Sequence, residues 1–344
     1  MKRRLPSNVL RRVKQWKSYT FTAIIVSIFL LSIIAFVTFN ILRASGRNNN
    51  PAQLIQAMSE SIQTLSYEGT FVILSGSAVD TLITKQINDG AETVELLKSL
   101  NGEAREVFRN SERVMCIWPN SRSVFSMKSQ DRLTAAEYGG TLKTNYRYKQ
   151  LPHDRVAGRE TFVVDIIAND TDRYSYRVWI DQETKMLLKS MSLDHRNYPI
   201  EQMMFTDIRF GRDIKIENVS KKLKSLKSRT ETYAEPSAVS YATEPNVSFD
   251  VLPRGFRKVS EMNHPMPDIT GTVRHIFLTD GIASISVYVQ FDYDSPDETN
   301  LGLSKLGAMA AYGRKTDTAF TTVIGDVPAH TIRAVAQAVR VNEP

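Results

Sequence analysis

Hydrophobic and polar positions change period several times along the chain, and each change marks an element. Ser18 to Leu42 carries no charged residue and is apolar enough and long enough to cross a hydrocarbon core as a helix. After the polar spacer Asn48-Asn49-Asn50, Pro51 can open a helix in which Leu54, Ile55, Met58, Ile62 and Leu65 recur at helical spacing. From Tyr67 to about Phe210 the period shortens and short turn-rich connections separate apolar runs. Strands are expected at 70–74, 79–87, 104–109, 114–118, 123–127, 162–168, 174–180, 186–193 and 200–210, with 91–100 read as a short helix. Asp181-Gln182-Glu183-Thr184-Lys185 has the composition of a hairpin tip between two of these strands. Consecutive hairpins of this kind predict one antiparallel sheet, strongly curved, with a helix on one face.

Between Gly211 and Thr243 the chain turns Lys-rich and then rich in Ser, Thr, Glu, Pro and Ala, the composition of a solvated linker. A second unit starts near Pro245. Pro253-Arg254-Gly255-Phe256 reads as a turn, Val273 to Leu278 as a strand, and Thr279-Asp280-Gly281 as a hairpin signal leading into a return strand from Ala283 to Phe291, because Asp-Gly tolerates positive φ. A second hairpin is expected from 308–312 and 319–324. A closing helix runs through Val339, with Ile332, Val335, Ala336 and Val339 on one face that needs a sheet to lie on. The fold class expected is therefore α+β, mainly antiparallel β: a larger curved sheet with covering helices and a smaller α+β domain. The expected divisions are a basic segment at 1–17, the apolar segment at 18–42, a first domain at 48–212, a linker at 213–244 and a second domain at 245–344.

Charge changes the picture in one respect. The formal net charge is +7, yet seven of the 44 Lys and Arg residues lie in the first 17 positions with no acidic residue among them. That leaves 37 basic against 37 acidic residues, a balance that argues against nucleic-acid binding by the folded part. The basic end keeps to the cytoplasm and places the chain beyond Arg43 across the membrane. The apolar run reads as a retained inner-membrane anchor, or as an export signal cut near Ala44-Ser45-Gly46. The expected location is periplasmic in either case.

Candidate chemistry is sparse. Cys116 is the single cysteine, so no intrachain disulfide can form, and its apolar neighbours Val114, Met115, Ile117 and Trp118 favour a core role. His153, His195, His264, His275 and His330 are scattered without metal-ligand spacing. Neither a metal nor a cofactor is expected. Gly302-Leu303-Ser304-Lys305-Leu306-Gly307 misses the nucleophile-elbow spacing by one residue, and Gly313-Arg314-Lys315-Thr316 lacks the glycine and lysine placement of a phosphate loop. Both read as turns, and no catalysis is expected.

Several stretches together resemble the RseB/MucB family of periplasmic regulators: Leu65 to Val72, Leu100 to Val107, Asp154 to Arg159, Tyr174 to Thr184, Glu201 to Ile208, Leu252 to Phe256, Asp280 to Val287, Gly307-Ala308 and Gly325 to Pro328. The order and spacing of these stretches across both domains carry the resemblance, which spans about 52–340. It implies a first domain like the lipoprotein carriers LolA and LolB. It also implies binding to the periplasmic part of an RseA/MucA-type anti-sigma factor, protection of that partner from proteolysis, and its release when lipopolysaccharide or lipoprotein acyl chains are sensed. The resemblance offers no catalytic residues. An alternative is a lipid or lipoprotein carrier that uses the first domain alone, and self-association into a homo-oligomer is left open.

Phe71, Trp118, Tyr176, Trp179, Met203 and Phe205 are the candidates to line a ligand cavity in the first domain, against core packing as the commoner role of such residues. Tyr288 and Arg314 are the candidates for a partner surface in the second, since Tyr and Arg are common interface anchors.

Overall fold

The computed structural model describes residues 50–111, 113–118, 123–128, 144–211, 213–214, 237, 239–240, 244–265, 272–291 and 301–342. The segments expected at 1–17 and 18–42 lie outside them, as does most of the expected linker. Among the described residues no helix is long and apolar enough to cross a membrane.

Helix α1 (Pro51–Thr64) opens on the expected proline, whose fixed φ suits a first helical position. Eleven strands come next: β1 (Tyr67–Ser75), β2 (Ala78–Asn88), β3 (Thr93–Ser99), β4 (Glu106–Arg109), β5 (Arg113–Trp118), β6 (Ser123–Lys128), β7 (Tyr146–Val156), β8 (Arg159–Ala168), β9 (Ser175–Asp181), β10 (Leu187–Leu193) and β11 (Pro199–Phe210). All belong to one antiparallel sheet in the order β6-β5-β4-β3-β2-β1-β11-β10-β9-β8-β7. Within this sheet the other neighbours are adjacent along the chain, and the return of β11 to β1 is the long-range pairing that closes the set.

Two sequence expectations fail here for physical reasons. The segment 91–100, with its Glu, Leu and Lys, has helix formers enough for a helix but forms β3, because pairing with β2 and β4 overrides a weak local preference. Strand β7 is absent from the expected set because it is polar and contains Pro152. It lies at the sheet edge, where a missing N–H and a wet face are tolerated.

A single helix serves much of this sheet. Leu54 and Ile55 pack with Tyr146, Phe162, Val164, Ile166, Val178 and Ile180 of β7, β8 and β9. At the other end of α1 the carbonyls of Ile62 and Leu65 accept hydrogen bonds from Gln86 Nε2 in β2, both at 2.8 Å. From β2 to β7 is six inter-strand steps, about 29 Å if flat, whereas a helix of this length measures about 21 Å. Register shifts at Thr70/Phe71, Ser192/Leu193, Leu187/Lys189 and Leu151/Asp154 supply the bends that bring both ends within side-chain reach.

The second domain holds a short pair, β12 (Asn246–Phe249) with β19 (Val339–Asn342), and a six-stranded antiparallel sheet. The sheet contains β13 (Arg257–Pro265), β14 (Thr272–Thr279), β15 (Ser284–Gln290), β16 (Gly302–Leu306), β17 (Met309–Lys315) and β18 (Phe320–Gly325), ordered β13-β14-β15-β18-β17-β16. The two stretches expected as turns, around 302–307 and 313–316, lie largely within strands β16 and β17. Helix α2 (Ala329–Ala338) lies on this sheet with Ile332, Val335 and Ala336 fully buried among Ile276, Leu278, Ile285, Val287 and Val323. Ile332 and Val335 each contribute about 1.5–3 kcal/mol by leaving water. The expected apolar face of the closing helix has its sheet at Ile332, Val335 and Ala336, whereas Val339, expected on the same face, lies past the helix end and opens β19.

Candidate functional site

The face of the first sheet beneath α1 is where a ligand of apolar character could meet the protein, and its residues can be assigned from register. Directly paired residues of antiparallel strands point the same way. Phe71 pairs with Phe205, Ile73 with Met203, and Met203 with Ser190, which pairs with Val178. Phe71, Met203, Phe205 and Tyr176 thus share the face that α1 covers. Phe205 is buried, with its ring 5.5 Å from that of Phe71 and edge-on to Tyr67 at 6.3 Å. Gly69 makes this stacking feasible, since a Cβ there would lie 2.5 Å from the Asp207 carbonyl and 3.0 Å from the Phe205 ring.

Trp179 belongs to the same buried cluster as Phe205, Phe71 and Met203 but approaches it from another side of the sheet. It pairs with Lys189, on the opposite face from Val178, where the Lys189 ammonium stands 4.3 Å over its ring and its Nε1 donates to Asp154 Oδ2 at 2.8 Å. Strand alternation sets this direction, since neighbours 178 and 179 point to opposite sides. The side chain of Trp118 lies outside the described residues.

Gln86 is the functional residue of this face that pattern reading missed. It is a fully buried polar side chain in an otherwise apolar setting, and it donates to two of the carbonyls that the end of a helix leaves without partners. Asn88 supports it by donating from Nδ2 to the Gln63 carbonyl at 3.1 Å. Two amide side chains from β2 therefore hold the last turn of α1 on the sheet.

The same covered face runs into the second domain. Tyr146, at the start of β7, belongs to the cluster beneath Leu54 and Ile55, and its hydroxyl donates to Asp280 Oδ2 at 2.9 Å. Asp280 also pairs with Arg173, and neither side chain is exposed to solvent. Arg173 donates in addition to the Arg254 carbonyl and, at 2.9 Å, to Asp170 Oδ1, while its guanidinium lies 5.6 Å from the Tyr146 ring and 5.2 Å from that of Phe256. The other carboxylate oxygen of Asp280 accepts from the Ile282 and Ala283 amides at 2.9 and 2.8 Å, closing the β14–β15 turn. A buried charge needs a partner and satisfied lone pairs, and Asp280 has both. Burial first, and the Asp280 carboxylate second, push the Tyr146 phenol far above its ordinary pKa, so it remains a donor at every relevant pH.

Two further contacts join the domains. Glu201 Oε2 accepts from Ser75 Oγ at 2.7 Å and faces the β16–β17 turn, where a Cβ on Gly307 would lie 2.6 Å from that oxygen. Gly307 also has a φ of +58°, a conformation that glycine adopts without strain. Thr331 Oγ1, in the first turn of α2, donates to the Asp172 carbonyl at 2.9 Å.

The two partner-surface candidates differ in their surroundings. Tyr288 is half-buried on β15, facing away from the α2 core, and stacks on His275 with 4.5 Å between ring centres. Arg314 donates from Nη1 to the Ala336 and Gln337 carbonyls at 3.1 and 3.2 Å, so it closes the C-terminal end of α2, where a cation is favoured. Among the described residues no group of three or more His, Cys, Asp or Glu side chains could hold a metal ion.

A curled antiparallel sheet under α1, joined by a buried ion pair to a smaller helix-on-sheet unit, defines a two-domain α+β protein. Family comparison sharpens this. Residues 50–223 match the model of the MucB/RseB N-terminal domain and residues 242–340 that of the MucB/RseB C-terminal domain, so the chain belongs to the MucB/RseB family of regulatory proteins. It is 26% identical over 319 residues to the Sigma-E factor regulatory protein RseB of Salmonella typhimurium, covering 91% of this chain and 97% of that protein. It is 24% identical to the Sigma factor AlgU regulatory protein MucB of Pseudomonas aeruginosa, covering 83% and 89% respectively. The crystal structure of MucB in complex with MucA(peri) superposes with a TM-score of 0.62 at 23% identity, covering 86% of this chain and all of that one.

Proposed function

We propose that this protein is a negative regulator of an envelope-stress sigma factor, acting from the periplasm by binding the periplasmic part of an RseA/MucA-type anti-sigma factor and catalysing no reaction. The observation that carries this reading is the alignment over nine-tenths of the chain with proteins named as sigma-E factor regulators. In this reading the bound regulator shields its partner from proteolysis, and a lipidic ligand such as lipopolysaccharide or lipoprotein acyl chains releases it. Release requires that the ligand favour a state in which the partner binds less well. Phe71, Tyr176, Met203 and Phe205 supply the apolar face for acyl chains, and Tyr288 is the partner-side candidate. Retention of segment 18–42 in the inner membrane would hold regulator and partner in one membrane and raise their effective concentration.

Calorimetric titration of the full chain in detergent with the periplasmic segment of the anti-sigma factor from the same cell tests the reading. Saturable binding of defined stoichiometry is expected. Absence of binding, with acyl-chain uptake intact, would transfer the assignment to a lipid carrier.

A further inference from the structure

The apolar cluster beneath α1 is not confined to the first domain. Tyr146 contributes its ring to that cluster and its hydroxyl to Asp280 of the second domain. Ile282, two residues beyond Asp280, packs into the same cluster from the second domain. Tyr176, which shares the covered face with Val178, has a buried hydroxyl without a hydrogen-bond partner in the described structure, and Asp326 and Asp280 of the second domain are the carboxylates that act on it. The helix-covered face and the β14–β15 turn are therefore two sides of one packed unit. Displacement on one side reaches the other through side chains in contact.

We propose that Tyr146 and Asp280 couple the two binding events: an acyl chain entering beneath α1 displaces Leu54 and Ile55 from Tyr146, breaks its hydrogen bond to Asp280, and reseats the β14–β15 turn so that the second domain holds the anti-sigma partner less tightly. This rests on the functional reading above and adds its route. Tyr146 is a positioning residue in this scheme and touches neither reacting nor recognised groups of the partner. The Glu201 contact at Gly307 and the Thr331 bond to Asp172 remain, so the second domain changes its seating without being set free. By linkage the partner must weaken acyl binding by the same factor, which makes the proposal measurable from either side.

The test uses the full chain, a dansyl-labelled fatty acid as the acyl probe and the periplasmic segment of the anti-sigma factor as the partner. In the unaltered protein, saturating probe is expected to weaken partner binding about tenfold, within the usual range of coupling between sites. In Tyr146→Phe and in Asp280→Asn the bond is already lost, so the partner should bind about tenfold more weakly even without probe, and saturating probe should weaken it by no more than about twofold further. A merely structural role would lower the melting temperature and leave the ratio intact, which overturns the proposal. So does a ratio of one in the unaltered protein when both molecules bind. Failure of the partner to bind at all is a different result, and it removes the functional reading instead. If neither variant folds, hydrogen exchange in the unaltered protein decides: the Ile282 and Ala283 amides, held by Asp280 Oδ1, should exchange faster when probe is added, and unchanged protection overturns the proposal.

Discussion

Tyr146 and Asp280, 134 positions apart in the chain, meet through a 2.9 Å hydrogen bond in which the phenol donates and the carboxylate Oδ2 accepts. The same oxygen faces the Arg173 guanidinium, so one carboxylate joins an edge strand of the first sheet, a β8–β9 connection and the hairpin turn of the second domain.

Removing that carboxylate leaves Arg173 buried with the partly exposed Asp170 as its remaining counter-charge and the Arg254 carbonyl as its remaining contact across the junction. Asp280→Ala is expected to cost about 3–5 kcal/mol, whereas Tyr146→Phe, which removes one hydrogen bond, costs about 1–2 kcal/mol. Urea unfolding of the two variants measures both values. Equal effects of the two substitutions would contradict the assignment of Asp280 as the charged centre of the junction.

Gln86 holds the last turn of α1 by two 2.8 Å bonds to main-chain carbonyls. Gln86→Leu keeps most of the volume and strands both carbonyls, at a cost of about 1–3 kcal/mol. Amide exchange should show the loss concentrated at the C-terminal turn of α1. Protection that drops uniformly over the molecule instead would mean that α1 is held chiefly by its apolar face.

At Gly69 a methyl group would meet the Asp207 carbonyl at 2.5 Å. That atom is backbone within a paired strand and cannot move without breaking the ladder. Gly69→Ala should therefore destabilise the protein by about 1–3 kcal/mol, the usual cost of overpacking, although alanine is otherwise the milder residue in a strand. Thermal unfolding detects this as a clear drop in melting temperature, and a stabilised variant would refute the close approach.

His275 is buried against Tyr288, bonded through Nε2 to Ser286 Oγ at 3.0 Å, and 5.4 Å from the His264 ring. Burial first, and the neighbouring His264 second, bring its pKa down to about 4. A histidine whose folded pKa lies below its unfolded value of about 6.5 takes up protons more readily when unfolded, so stability is complete above that value and falls as the pH drops from there towards 4. Between pH 7.5 and pH 5 the loss from this residue is about 2 kcal/mol. Denaturant midpoints across that range should show it, and His275→Gln should flatten the slope. An unchanged slope in the variant would assign the pH dependence elsewhere.

Much of this architecture is legible in the residues alone. Pro51 with its 3.6-residue apolar period marks α1, and Ile332, Val335 and Ala336 mark the buried side of α2, because an amphipathic period is a local property that any covering sheet will satisfy. Asp280-Gly281 announces a hairpin turn for the same reason: positive φ at Gly281 is a local demand. The family resemblance, too, is readable in the order of stretches across both domains.

Tertiary structure decided the rest. Strands β7 and β16 escape the pattern because they are edge strands whose side chains are mostly exposed or half-buried, and β13, another end strand, is half exposed and pairs on its outer side with Ser237 through Asn263. Segment 91–100 has helix-forming composition and becomes β3 because its neighbours in the ladder outweigh local preference. Trp179 and Tyr176 look alike as aromatic residues three positions apart, yet alternation along β9 sends them to opposite faces. Above all, nothing in a turn-forming aspartate tells which distant groups will meet its second oxygen. Asp280 reads locally as a turn residue, and only the packing of two sheets brings Tyr146 and Arg173 to it, since burying a charge forces the fold to supply partners from wherever the chain passes.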